Sequence, residues 1–221
     1  MDGADLAEAR RLMVLGQLKP SGVSDARILD AMRVLPRERF LPPEAAARAY
    51  ADVAVPLPGG RAMASPLTTA RLVQLAAVRR DDRALVLAAG TGYGAALIAA
   101  LHARVVAVED DPMLLSLARA ALPAVVAPGA VQLVEAPPRA GHAAGAPYDV
   151  IMIEGALPAI PRDIEEQLAE GGRLVTVLAP PDASARAVLV RRAGHSFTRT
   201  PAFDAPSWPA PAFAPRPAFA F

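Results

Sequence analysis

Apolar segments without polar interruption alternate with amphipathic segments through the middle of the chain. Ala84–Ala88 consists of apolar residues only, as expected for a strand buried on both faces of a parallel sheet. The same criteria predict four more strands and three intervening helices. The strands are Arg104–Glu109, Val131–Val134, Tyr148–Ile153 and Arg173–Leu178, and the helices are Ala95–Leu101, Pro112–Leu122 and Pro161–Ala169. This alternation predicts an α/β fold with a doubly wound, mostly parallel sheet.

Helical periodicity dominates the segment before this sheet. Helices are predicted at Asp5–Leu15, after the Ser24-Asp25 cap, and from Pro42 to Tyr50. The Pro- and Gly-rich segment Val53–Pro66 predicts a loop or short strand, and a helix follows at Leu67–Val78. We therefore expect a helical N-terminal cap over the carboxyl ends of the strands.

The chain ends in two predicted strands and a segment of different composition. Ala187–Arg192 and His195–Thr200 predict a hairpin around Gly194. The segment Phe203–Phe221 is rich in Pro and Phe, and we interpret Phe213, Phe219 and Phe221 as packing anchors. This divides the chain into a helical cap with a loop (residues 1–66), an α/β domain (67–200) and a tail (201–221).

Composition excludes several classes of protein. The 221 residues suit one domain with short appendages, and 23 basic against 22 acidic residues give a net charge of +1, which argues against nucleic-acid binding. The chain has no cysteine, which excludes a disulfide framework, a zinc ribbon and a cysteine nucleophile. The three histidines are scattered without the spacing of metal ligands, so we expect no metal site.

No targeting or membrane segment is predicted. Met1–Arg10 carries acidic residues and no apolar core, unlike a signal peptide. Ala84–Ala103 lacks charge over about the length of a membrane span, but the glycines of Gly90–Gly94 interrupt it and favour a strand, a turn and a buried helix. We expect a cytoplasmic protein that does not bind membranes.

Candidate chemistry begins at the glycine-rich turn after the first sheet strand. The turn contains Gly90, Thr91, Gly92 and Gly94, and glycines there let a ligand approach the backbone at a helix N-terminus. Glu109 ends the next strand, where folds of this kind place a carboxylate that binds ribose hydroxyls. Together these features predict a nucleotide-type cofactor. The alternative to a cofactor site is that the glycines only allow tight packing of the turn and that Glu109 is an exposed acid at a strand end.

The glycine spacing narrows the choice of cofactor. G-x-G-x-G, instead of G-x-G-x-x-G, favours S-adenosylmethionine over a dinucleotide, although a dehydrogenase stays an alternative. No lysine follows the glycines, which excludes a P-loop.

The N-terminal region carries an ordered series of residues with a recognisable spacing. The series is Met13, Val14, Gln17, Leu18, Pro20, Gly22, Val23, Asp25, Ile28, Leu29, Ala31, Met32, Val34, Pro36, Arg37, Glu38, Phe40, Pro42, Ala49, Tyr50, Asp52, Pro56 and Leu57. It is followed by the glycine turn, Tyr148–Ala156, Ile160-Pro161 and Gln167–Val175. As an ordered set, these segments closely resemble the protein-L-isoaspartate O-methyltransferases, and the resemblance spans about residues 13 to 178.

The resemblance implies methyl transfer from S-adenosylmethionine to the α-carboxyl of an L-isoaspartyl residue in damaged proteins. It implies a Rossmann-like methyltransferase fold in which residues 67–200 bind the cofactor and residues 1–66 contribute the substrate loop. The implied partners are isoaspartyl peptides or proteins. The expected cofactor contacts are Gly90, Thr91, Gly92, Gly94, Glu109, Asp110, Glu154 and Gly155.

Three departures from the family's pattern affect the site. Ala64 stands where the family has a serine with a catalytic role, so Ser65 is the candidate in its place. Ala88 stands where we align the acid that ends the family's first strand. The Gly-Asp-Gly after the third strand is replaced near Glu135–Pro138, and proline supplies no backbone donor. Two other interpretations therefore stay open: a non-catalytic binding module with this fold, and a methyltransferase acting on another carboxylate.

Overall fold

The computed structural model describes residues 3–206 and 208–214. Its main feature is a seven-stranded sheet in the order β5-β4-β3-β6-β7-β8-β9, and a separate two-stranded hairpin, β1-β2, precedes it. The strands of the hairpin are β1 (Val55–Leu57) and β2 (Arg61–Met63). The sheet strands are β3 (Arg83–Leu87), β4 (Arg104–Glu109), β5 (Val131–Glu135), β6 (Tyr148–Leu157), β7 (Leu168–Leu178), β8 (Arg186–Ala193) and β9 (Ser196–Asp204).

The first five sheet strands are parallel, which confirms the predicted fold class. Leu85 lies opposite Val106 on one side and opposite Ile151 on the other. The chain therefore builds outward from β3 in one direction through β4 and β5, then returns to add β6 and β7 on the other side. Ligands of doubly wound sheets bind where the strand order reverses, at the carboxyl ends of the strands. Here that point lies between β3 and β6.

Six α-helices accompany the strands within the described residues. They are α1 (Gly3–Met13), α2 (Ala26–Val34), α3 (Pro66–Ala76), α4 (Tyr93–Ala100), α5 (Pro112–Ala121) and α6 (Arg162–Glu165). Side-chain caps start three of them: Asp25 accepts from Arg27 N, Ser65 from Thr68 N, and Asp111 from Met113 N and Leu114 N. None of the helices in the described part of the chain is long and apolar enough to cross a membrane.

The helix predicted at Pro161–Ala169 is wrong over its second half. It ends at Glu165, and the buried Leu168 already belongs to β7. The amide of Tyr148 donates to the carbonyl of Gln167, so pairing with β6 begins before the predicted strand at Arg173. Pairing between strands that are distant in sequence outweighs the local helical pattern here.

The N-terminal segment covers the sheet in two places. Helix α2 runs beside α4, and Ala31 and Val34 line one surface groove together with Ala100. A 3-10 turn at Arg37–Phe40 reaches the carboxyl end of β3, where the Phe40 ring meets Tyr93 edge-on at 5.4 Å between centroids. The predicted cap over the strand ends thus consists of this turn and the β1-β2 hairpin, while α2 packs against α3 and α4.

The C-terminal residues continue the sheet and then cross it. The predicted hairpin around Gly194 is present, and β9 extends to Asp204, so the first tail residues are part of the sheet. Phe213 is 2% exposed, which confirms it as a packing anchor, whereas Phe219 and Phe221 lie outside the described residues.

Candidate active site

The turn after β3 has left-handed backbone conformation at alternate residues. Ala88, Gly90 and Gly92 have φ of 52°, 56° and 89°, and helix α4 starts immediately afterwards at Tyr93. Positive φ favours glycine. Two of the three positive-φ residues of the turn are glycines, and the third is Ala88, whereas Gly94 is not among them. The position that sequence alignment matched to an acid is therefore the first residue of the turn.

Gly90 and Gly94 have different surroundings. A Cβ at Gly90 would meet only Leu57 Cδ1, at 4.0 Å, so there is space beside this buried residue on the side where a side chain would point. Gly94 lies inside α4, and a Cβ there would collide with Glu154 Oε1 and the methyl group of Met152. The absence of a side chain at Gly94 makes room for Glu154. Thr91 is buried between these two glycines.

Glu109 is completely buried at the end of β4 and is surrounded by donors. The amide of Gly90 donates to Oε2 at 2.7 Å, and the amides of Asp110 and Asp111 donate to Oε1 at 3.0 and 3.1 Å. Arg61 Nη1 lies 3.2 Å from Oε2 and 3.3 Å from Oε1. Arg61 Nη2 donates to the carbonyl of Ala88 at 2.5 Å. The β1-β2 hairpin thus places the Arg61 guanidinium over the carboxylate of Glu109, which the sequence analysis predicts to bind ribose hydroxyls.

The residues after Glu109 are more accessible. Asp110 is exposed as a residue, but its carboxyl is partly shielded from solvent. This shielding, together with the adjacent charge of Glu109, raises the pKa of the carboxyl. Asp111 caps α5, and a Cβ at Gly59 would collide with its carboxylate. The hairpin turn therefore packs directly on the start of α5.

Glu154 lies across from the glycine turn, in β6. Leu87 pairs with Ile153, so Glu154 follows at the level of Ala88. Its Oε1 atom is shielded from solvent and has no hydrogen-bond partner. Burial raises the pKa of Glu154 to about 8, against smaller opposing effects of Arg61 and Arg37. The side chain is therefore mostly neutral near pH 7.

Gly155 faces the tail and not the turn. Its φ is 86°, and a Cβ would lie 3.0 Å from Ala210 Cβ and 3.2 Å from the Trp208 carbonyl oxygen. The amide of Ala156 donates to the carbonyl of Trp208, and the amide of Ala210 donates back to Ala156. Gly155, a predicted cofactor contact, therefore allows the tail to pack closely against β6 because it has no side chain.

Ala64 and Ser65 line different spaces. Ala64 lines a small inner cavity with Ala62, Thr69, Glu154 and Gly155. Ser65 lines an outer groove formed by Asp52, Val53, Ala54, Leu67, Thr68, Arg71, Phe203, Asp204, Pro206 and Trp208. The Ser65 hydroxyl also caps α3, where it accepts from Thr68 N at 3.2 Å. The candidate catalytic hydroxyl is thus engaged in a helix cap and is not among the residues that line the cavity.

Arg37 belongs to the site although the sequence analysis gave it no role. It is completely buried, Nε donates to the carbonyl of Ala49 at 2.8 Å, and Nη2 donates to the carbonyl of Ala64. Its guanidinium lies 4.8 Å from the centroid of the Tyr93 ring. The one available signal was its place in the series Pro36-Arg37-Glu38, which resembles the family's N-terminal region.

Comparison with known proteins decides the family. The profile of the protein-L-isoaspartate(D-aspartate) O-methyltransferases matches residues 9–201. The chain belongs to this family. A protein-L-isoaspartate O-methyltransferase from Methylorubrum populi is 39% identical over 189 residues, covering 86% of this chain and 88% of the relative. One from Methanoculleus marisnigri is 35% identical and covers 90% of each chain.

Solved structures of the family share the fold. A protein-L-isoaspartate O-methyltransferase superposes with a TM-score of 0.78 at 24% identity, over 91% of this chain and 65% of the other. A Plasmodium falciparum β-aspartate methyltransferase, solved in complex with S-adenosyl-L-homocysteine, gives a TM-score of 0.76 at 16% identity, over 90% and 97% of the two chains. These likenesses support the Rossmann-like methyltransferase architecture. Within the described residues, no group of His, Asp and Glu is arranged to hold a metal ion.

Proposed function

We propose that this protein methylates the α-carboxyl of L-isoaspartyl residues in proteins, with S-adenosylmethionine as methyl donor. The observation that carries the proposal is the family profile match over residues 9–201, together with relatives of this name that align over nearly their whole length. The substrate is a damaged polypeptide. A location in the cytoplasm remains a prediction from the sequence.

The glycine turn fits the cofactor. Gly90 leaves space beside the helix N-terminus at Tyr93, and Asp110 is accessible next to the end of β4. The residues that would hold the cofactor are Gly90, Thr91, Gly92, Glu109 and Asp110. S-adenosylmethionine, when bound, supplies a methyl group on a positively charged sulfur. Glu109 becomes available to ribose hydroxyls only if Arg61 moves away or shares the carboxylate.

The substrate carboxylate needs no general base. Its reference pKa lies near 4, so it is already ionised at neutral pH. The protein has to position this group and exclude water. The β1-β2 hairpin and the segment Met63–Ser65 lie over the strand ends, and Arg37 fixes that segment through the carbonyl of Ala64. We infer that the peptide enters along the outer groove beside Ser65.

Transfer of a labelled methyl group to an isoaspartyl peptide tests the proposal, with the normal aspartyl peptide as control. We expect methylation of the first peptide only. Ala64→Ser should raise the rate because it restores the hydroxyl donor that the family has at this position, and Ser65→Ala should lower the rate by about tenfold, as expected for the loss of one hydrogen bond to the substrate. Equal methylation of both peptides, or of neither, contradicts the proposed function.

A non-catalytic binding module is the second candidate, and one observation favours it. Arg61 occupies both oxygens of Glu109, so the predicted ribose contact is closed in this structure. Calorimetric titration with S-adenosylhomocysteine separates the two candidates. Measurable binding together with peptide methylation supports the enzyme, and a lack of binding at millimolar ligand supports the module.

A further inference from the structure

Three buried polar atoms without hydrogen-bond partners occur on residues next to one another in the site. They are Arg37 Nη1, the Tyr93 hydroxyl and Glu154 Oε1. Buried polar atoms are normally paired, so each unpaired one calls for an explanation, and a bound polar group is one such explanation. Of the three residues, Glu154 lines the inner cavity directly, beside Ala62, Ala64 and Thr69. The cavity has room for about one water-sized group, such as a single carboxylate oxygen.

The charges around this cavity are unbalanced. Arg61 is paired with Glu109, but the ion pairs of the described residues do not include Arg37. The guanidinium of Arg37 instead donates to two backbone carbonyls and lies against Tyr93. Burial lowers the pKa of Arg37, and the neighbouring Tyr93 hydroxyl opposes this shift. A buried cation that no carboxylate neutralises attracts an anion. Glu154 does not supply the missing charge near pH 7, because burial keeps its carboxyl mostly protonated.

A neutral carboxyl group has a property that a carboxylate lacks: it donates an O–H hydrogen bond. An incoming carboxylate would raise the pKa of Glu154 further, since two like charges at one site disfavour ionisation. The charged groups that act on Glu154 are Arg61 on β2, Glu109 on β4 and Arg37 on the 3-10 turn, and the backbone amide of Gly94 on α4 lowers its pKa slightly. Protonated Glu154 and an anionic substrate are therefore mutually stabilising.

We propose that the buried carboxyl of Glu154 binds the substrate's α-carboxylate at the inner cavity beneath Ala64, while Arg37 supplies the favourable positive charge from behind the loop. This inference rests on the proposed function and names the group that selects its substrate. Glu154 touches the substrate, and Arg37 is a positioning residue that acts through the Ala64 carbonyl. One carboxylate oxygen occupies the cavity, and the other is left free to accept the methyl group.

The same arrangement distinguishes substrate from product. Methylation converts the anionic carboxylate into a neutral ester. The ester has no charge to interact with Arg37 and accepts a weaker hydrogen bond from Glu154. We therefore expect the methyl ester to bind more weakly than the free acid, which favours product release.

Calorimetric titration with an N-acetylated isoaspartyl peptide tests this inference, with and without S-adenosylhomocysteine. The control peptide carries a carboxamide in place of the α-carboxyl. For the unmodified protein we expect binding of the acid to weaken by about tenfold between about pH 6.5 and about pH 9.5, as Glu154 ionises, with no such change for the carboxamide. Glu154→Gln keeps a donor of similar shape and should bind the acid equally at both pH values. Glu154→Leu should lose about tenfold at both.

The outcomes separate this inference from the proposed function. Acid-selective, pH-dependent binding without methyl transfer supports the inference and overturns the proposed function. Normal binding and methyl transfer by Glu154→Leu overturn the inference and leave the function. A pH dependence that persists in Glu154→Gln, or no peptide binding by the unmodified protein, also overturns the inference. Thermal unfolding of each variant, measured alongside, confirms that the proteins compared are folded.

Discussion

The guanidinium of Arg61 lies against the carboxylate of Glu109, with Nη1 3.2 Å from Oε2 and both side chains almost fully buried. The two residues belong to different parts of the chain, the hairpin and the end of β4. Their pairing closes the hairpin over the glycine turn, and it also occupies the acid that would otherwise bind ribose. Folding stability and cofactor access therefore depend on the same contact.

Replacing Arg61 should separate these two effects. Arg61→Gln leaves Glu109 buried without its cationic partner, so we expect a loss of about 3 kcal/mol in the free energy of unfolding. The same change frees the carboxylate, so S-adenosylhomocysteine should bind about tenfold more tightly. Chemical denaturation and calorimetry measure the two quantities.

Arg119→Gln is the matched control because Arg119 pairs with Glu135 on the surface. We expect it to change the free energy of unfolding by less than about 1 kcal/mol. If Arg61→Gln weakens ligand binding, Arg61 helps to hold the cofactor and does not compete with it.

Glu154 should make stability depend on pH. Its pKa is raised from about 4.5 to about 8 on folding, so the folded state holds the proton more tightly and stability falls as pH rises between these values. From about pH 6 to about pH 9, we expect the free energy of unfolding to drop by about 2 to 3 kcal/mol more in the unmodified protein than in Glu154→Gln. Parallel denaturation curves for the two proteins at both pH values would contradict this.

The left-handed backbone at Ala88 predicts a substitution that is well tolerated. A side chain costs about 1 to 2 kcal/mol at such a position, so Ala88→Gly should leave stability unchanged or raise it by up to about 1 kcal/mol. Ala89→Gly is the control, since Ala89 is equally buried and is not among the residues of positive φ. It should lower the melting temperature. Equal losses for both variants would show that the turn at Ala88 carries no strain.

Gly155 should be much less tolerant than another glycine of positive φ. In Gly155→Ala the new methyl group meets Ala210 and the Trp208 carbonyl, whereas a Cβ at Gly171 meets nothing within 4 Å. Both variants bear the cost of the left-handed backbone, so their difference reports the contact with the tail. We expect Gly155→Ala to unfold at lower temperature and to expose the tail to limited proteolysis. Equal behaviour of the two variants would contradict the tail's packing on β6.

Local patterns were sufficient to predict most of the sheet and the glycine turn. The bounds of β4 agree with the sequence prediction, and Asp25 caps α2 as expected. Such features depend on neighbouring residues, through burial of a continuous apolar segment or a cap within one helical turn. The helix after Pro161 was overpredicted because its second half is committed to pairing with β6.

Site features that depend on distant residues were outside the reach of local patterns. Gly94 matched a cofactor turn by spacing, yet its neighbour is Glu154, which is 60 positions away in the sequence. Gly155 is a predicted cofactor contact, and no local pattern indicates that the tail packs against it. Glu109 is predicted from its position at a strand end, and nothing near it in sequence indicates that Arg61 covers it. These pairings are properties of the folded chain.

Arg37 is anchored to main-chain oxygens of Ala49 and Ala64, and not to their side chains. Every amino acid has a carbonyl oxygen, so mutations at these two positions do not remove the anchor. The family's serine could thus be replaced by alanine at position 64 without releasing the loop from the core. A substitution at position 64 therefore changes the side chain that lines the inner cavity without removing the hydrogen bond that holds the loop.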